Sequence, residues 1–140
     1  MIVDYRWDRT LETGHEMIDT QHKQLFVAIN DLLHTYQQGK GSEDLSKSLD
    51  FLANYTIKHF FDEQRLQQKY NYPDFENHKK YHEALKAEVM DFSRQLIMKG
   101  PSEELINKVC STIGNWLVNH IQIQDKKLAA YIKQQDAVAH

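Results

Sequence analysis

The chain has 140 residues, 41% apolar and 26% charged, which suits one soluble globular domain with a single core. A formal net charge of −3 with both signs interspersed argues against nucleic acid or an anionic membrane as partner, and no apolar run is long enough for membrane insertion. The lone Cys110 rules out an internal disulfide and fits a cytoplasmic location, whereas eight histidines exceed the usual few and make imidazole chemistry the first thing to test.

The N-terminal stretch MIVDYRWDRT lacks the apolar segment of a signal peptide and is expected to form an arm over residues 1–18. Helical periodicity then runs to about residue 133, broken only at Gly39-Lys40-Gly41, Tyr72-Pro73 and Gly100-Pro101. The first helix is expected to start with Asp19 or Thr20 as its cap, and its stripe runs His22, Leu25, Ile29, Leu32, Tyr36. The second, capped by Ser42, follows Leu45, Leu49, Leu52, Thr56, His59, Glu63, Leu66, Tyr70. The third, after Asp74, carries Phe75, His78, His82, Leu85, Val89, Phe92, Leu96. The fourth starts at Ser102 and passes Ile106, Val109, Ile113, Leu117 and His120 towards Tyr131. The expected fold is all-α: an up-down-up-down four-helix bundle in a single domain spanning 1–140.

In such a bundle the stripes bring His22, His59, Glu63, His78, His82 and His120 to one region. A single buried histidine is most simply a hydrogen-bonded core residue. Six such groups from four helices are costly to leave unsatisfied, and a metal explains them together. His15, His34 and His140 fall off the stripes. Asp125 lies five residues past His120, about 140° round a regular α-helix. Either a π-bulge or an approach from the flank could bring it in. HKKYH is not the HExxH of zinc proteases, because Lys79 replaces the general-base glutamate. No ExxH pair on the core stripes supports a carboxylate-rich di-iron site.

The motifs HxxxE at His59 and Glu63, HxxxH at His78 and His82, and HxxxxD at His120 and Asp125, with IDTQH at His22, resemble the hemerythrin ligand set. Trp7, Gly14, the YP before ENHKKYH and NWLVNHI extend the likeness to the single-domain bacterial branch, the bacteriohemerythrins, over about residues 7–131. Asp62, where many relatives carry a second glutamate, and LAAY after the last motif are departures that leave every ligand position filled. The resemblance implies two irons bridged by a hydroxo or oxo group. One iron takes His78, His82 and His120, and the other takes His22 and His59. Glu63 and Asp125 bridge them. One octahedral position then stays open, on the iron with two histidines, which suits reversible dioxygen binding by a carrier rather than an enzyme. Phe60, Trp116, Leu117, Ile121 and Ile123 are candidate apolar walls of the oxygen pocket. An enzyme acting on peroxide, nitric oxide or ferrous iron, and an oxygen-sensing module, are the alternatives. Besides dioxygen, an oxygen-consuming protein is a possible partner.

Overall fold

The computed structural model describes residues 5–138, and these contain helices and no strand. Helix α1 spans Glu16–Gln37, α2 Ser42–Lys69, α3 Phe75–Lys99 and α4 Glu103–His120. A π-helical segment, Ile121–Asp125, leads into α5, Lys126–Val138. The backbone stays in the right-handed helical region at His120, Ile121 and Lys126, so α4, the π segment and α5 form one continuous helix. Helix α1 packs on α2 and α4, and α3 packs on the same two, which is the expected four-helix bundle. His140 lies outside the described residues.

The apolar stripes drive this assembly. Leu25, Ile29 and Leu32 of α1 meet Leu45, Leu49 and Leu52 of α2, Leu85, Val89 and Phe92 of α3, and Ile106, Val109 and Ile113 of α4 in one core. That core fills the end of the bundle nearest the α1–α2 and α3–α4 turns. Glycines at the ends of α1 and α3 make the turns, since Gly39 and Gly100 both sit at φ +76°. Ser102 caps α4 by accepting from Leu105 N at 3.0 Å.

Three local expectations need correcting. Helix α1 begins at Glu16, before Asp19, because the His15 imidazole Nδ1 accepts from Ile18 N and serves as the cap. Asp19 instead accepts from Thr13 N, Thr13 Oγ1 and Gly14 N, tying the preceding turn to the helix. Gly41, not Ser42, is the residue that caps α2. Beyond Glu63 the α2 seam steps four residues to Gln67, which is fully buried, and leaves Leu66 and Tyr70 only partly covered.

The segment before α1 is anchored across the bundle. Tyr5 N donates to Asn30 Oδ1 at 2.8 Å, and Asn30 Nδ2 donates back to Tyr5 O at 2.6 Å. The Tyr5 ring lies over Gly114 of α4, where any Cβ would overlap it. Lys23 Nζ sits 4.4 Å from the centre of the Trp7 ring.

Candidate metal centre

Each helix of the bundle sends polar groups into the half of its interior that the apolar core leaves unfilled. His22 comes from α1, His59 and Glu63 from α2, His78 and His82 from α3, and His120 from the end of α4. The i,i+4 spacing of His59 with Glu63, and of His78 with His82, stacks each pair on one face. Asp125 arrives through the π segment. Its wider turn, closed by Lys126 N donating to Ile121 O, brings a residue five positions after His120 back to the same face. The five histidines and two carboxylates are all 5% exposed or less.

The ligand atoms fall into two overlapping groups. His78, His82 and His120 meet Glu63 and Asp125 in one, and His22 and His59 meet the same two carboxylates in the other. Within each group the atoms lie within 4.8 Å of one another. Glu63 Oε1 is 2.9 Å from His78 Nε2 and 3.3 Å from His82 Nε2, while its Oε2 is 3.3 Å from His59 Nε2. Asp125 Oδ1 is 3.1 Å from His78 Nε2 and 3.2 Å from His120 Nε2, while its Oδ2 is 2.8 Å from His22 Nε2. Each carboxylate therefore turns one oxygen to each group.

These donors fit cations better than they fit each other. Despite the short separations, neither carboxylate oxygen of Glu63 or Asp125, nor His22 Nε2, makes a hydrogen bond of acceptable geometry. His78 Nε2 and His120 Nε2 approach to 2.8 Å, and His82 Nε2 and His120 Nε2 to 3.2 Å. Buried carboxylate oxygens without hydrogen bonds are costly, and positive ions set among them and the imidazoles would satisfy them. The residues could hold metal ions in two overlapping groups.

Electrostatics agree in direction. Burial raises the Glu63 carboxyl, but the close approach of the His59, His78 and His82 imidazoles outweighs it and holds Glu63 well below the usual range. Burial and Glu63 likewise raise Asp125, and His120 and His22 pull it down further than that. Burial lowers both His78 and His82. Contacts with both carboxylates carry His78 up to about 9, whereas His82 falls to about 4.

Around the ligands lies a layer that the periodic pattern did not identify, because its members are polar. His59 Nδ1 lies 2.7 Å from Gln21 Oε1, and Gln21 Nε2 donates to Asp62 Oδ2 at 2.9 Å. Lys58 Nζ reaches the same Asp62 oxygen at 2.8 Å and helps to hold that carboxyl below its usual range. The Gln64 amide lies 3.2 Å from His82 Nδ1. The placement of Gln21 directly before His22 in IDTQH was the available signal.

The apolar candidates divide. Phe60 stacks on His82 with ring centres 3.9 Å apart, and Trp116 stacks on His120 at 4.3 Å. Leu117 and Ile121 are buried. Ile123 is 63% exposed and cannot wall an interior pocket. The π segment turns it outward between the buried Ile121 and Asp125. It lines instead a surface cavity of about 300 Å³ with Tyr81, Trp116, Asn119, His120 and Gln124.

Comparison with known proteins gives a consistent set of likenesses. The family model for the hemerythrin HHE cation-binding domain matches residues 13–132. A bacteriohemerythrin of Pseudomonas paraeruginosa is 35% identical over 134 residues, covering 96% of this chain and 81% of that protein. A myohemerythrin of Theromyzon tessulatum is 33% identical, covering 88% of this chain and 89% of its own. The crystal structure of a wild-type hemerythrin superposes with a TM-score of 0.81 at 29% identity, covering 89% of this chain and 95% of the other.

Proposed function

The chain belongs to the hemerythrin family, and on that premise we propose that it binds dioxygen reversibly at two iron ions bridged by a hydroxo or oxo group. His78, His82 and His120 would hold one ion and His22 and His59 the other, with Glu63 and Asp125 shared between the two groups. The reading rests on one asymmetry. Both groups of donors share the same two carboxylates, but one has three imidazoles and the other two. The group with two imidazoles is the one that would leave an ion room for a small ligand. When bound, the iron pair supplies one electron from each ion to dioxygen and recovers both as oxygen leaves.

The chain's own part is to orient, to exclude water and to withhold protons. Neutral imidazoles add little negative charge, which favours the ferrous state. Phe60, Leu117 and Ile121, none more than 2% exposed, keep this half of the core dry. Cleavage of the O–O bond would need a proton donor within reach. Among the described residues the two ligand groups hold no third carboxylate. The Tyr72 hydroxyl is pushed up to about 12, by burial and then by the charges of Asp74, Asp125 and Glu63. These features favour a carrier over an enzyme, working in the cytoplasm for storage or for delivery to an oxygen-consuming protein. No helix among the described residues is long and apolar enough to cross a membrane.

The test is iron analysis followed by optical spectroscopy. Two irons per chain are expected, with visible absorption that appears under oxygen, disappears on its removal and survives repeated cycles. Rapid, stoichiometric oxidation to the ferric form with release of peroxide would instead indicate an enzyme.

A further inference from the structure

We propose that Asp62 is a positioning residue: acting through Gln21, it fixes the tautomer of His59 so that the Nε2 lone pair faces the metal. The inference rests on reading His59 as a metal ligand. It extends that reading to two residues outside the ligand set.

Hydrogen-bond polarity runs inward from the surface. The Lys58 ammonium can only donate, and it donates to Asp62 Oδ2. That carboxylate can then only accept from Gln21, so the Gln21 amide must turn its nitrogen outward. Its oxygen is thereby forced towards His59, 2.7 Å from Nδ1. An amide oxygen cannot donate, so Nδ1 must carry the proton and Nε2 must be bare. Without this constraint the opposite tautomer has an attraction of its own, because Glu63 Oε2 lies 3.3 Å from His59 Nε2 and would accept a proton held there. That tautomer cannot bind a metal ion.

Gln21 is 7% exposed and cannot exchange its partners for bulk water, whereas Asp62 and Lys58 reach the surface with side chains 29% and 60% exposed. The chain of contacts thus links a buried ligand to a surface ion pair. Gln64, beside His82 Nδ1, has no comparable anchor among the described residues, and its amide is free to flip. The restraint falls on the end of the site with only two imidazoles, where loss of one matters most.

The prediction is tested with zinc(II) as a redox-silent probe, competed against a chelator, and by NMR of the full chain labelled with ¹⁵N at histidine. The wild-type protein should take up two zinc ions and show a slowly exchanging His59 Nδ1 proton. Asp62→Asn offers Gln21 a donor as well as an acceptor and so permits the amide to flip. It should weaken the second zinc about ten- to a hundredfold, leave the first unchanged and speed exchange of the His59 proton while the His82 resonance stays in place. Gln21→Leu should reproduce the effect, and Asp62→Glu should recover much of the lost affinity. Unchanged second-zinc affinity in both Asp62→Asn and Gln21→Leu, with an unmoved His59 proton, would overturn the proposal. A wild-type chain that binds a single zinc would overturn the two-metal reading instead. In that case the His59 proton of the metal-free protein, and its response to Asp62→Asn, would still decide the tautomer question.

Discussion

At the scale of single residues, the two kinds of histidine in this chain should respond oppositely to truncation. His59 is buried among ligand atoms, and His34 is exposed on α1. His59→Ala should cut metal content from two ions to one and abolish oxygen binding, while His34→Ala should change neither; metal analysis and the oxygen difference spectrum check both. Cys110 gives a pH-dependent test. Burial pushes its thiol up to about 12 from an ordinary value near 9. The neutral thiol is therefore the form that suits the fold. Its contribution to stability is complete below about pH 9 and is lost as pH rises towards about 12. At pH 8 the native protein should resist a thiol-specific reagent that labels it at once in denaturant.

At the scale of elements, the π segment is the feature with the sharpest consequence. Deleting Gln122, an exposed residue within it, should restore regular α-helical turns and leave Asp125 at i,i+4 spacing from His120, still on the face that His120 occupies. Circular dichroism should show the helices intact and metal analysis should show the same metal content as the parent chain; loss of an ion would mean that the wide turn itself sets the reach of Asp125. The same segment marks where sequence reasoning stops. Four helices and most of their buried faces were readable, because leucine, valine and isoleucine recur with helical spacing and glycine or proline interrupts them. The His120–Asp125 spacing did not choose between a bulge and an approach from the flank, since local sequence does not announce an extra residue in a turn. The start of α1 was misread because a histidine, not the usual aspartate or threonine, does the capping. Gln21 and Gln67 were passed over because amides carry no apolar signal, although both are buried.

At the scale of the whole molecule, the bundle divides into an apolar half and a half whose buried carboxylates lack hydrogen-bond partners. Metal should therefore act as a stabilising ligand, because it binds the folded chain and finds no assembled site in the unfolded one. At a free ion concentration a hundred times the dissociation constant, linkage supplies about 2.7 kcal/mol. At about 2–4 °C per kcal/mol for a domain of this order, the melting temperature should rise by several degrees and keep climbing with the logarithm of metal concentration. Calorimetry of metal-free and metal-loaded protein measures this directly.

The reciprocal Tyr5–Asn30 pair and the ring laid over Gly114 carry a lesson for anyone handling this protein. They make the leading segment a strap that joins α1 to α4, the two helices supplying His22 and His120. An affinity tag or reporter fused ahead of Tyr5 loads this strap directly, and trimming the chain past Tyr5 uncovers the bare glycine face of α4. The far end of α5 carries a tie of its own, Tyr70 Oη donating to Asp136 Oδ1 at 2.7 Å, so a fusion at either terminus is best set off from these contacts by a spacer.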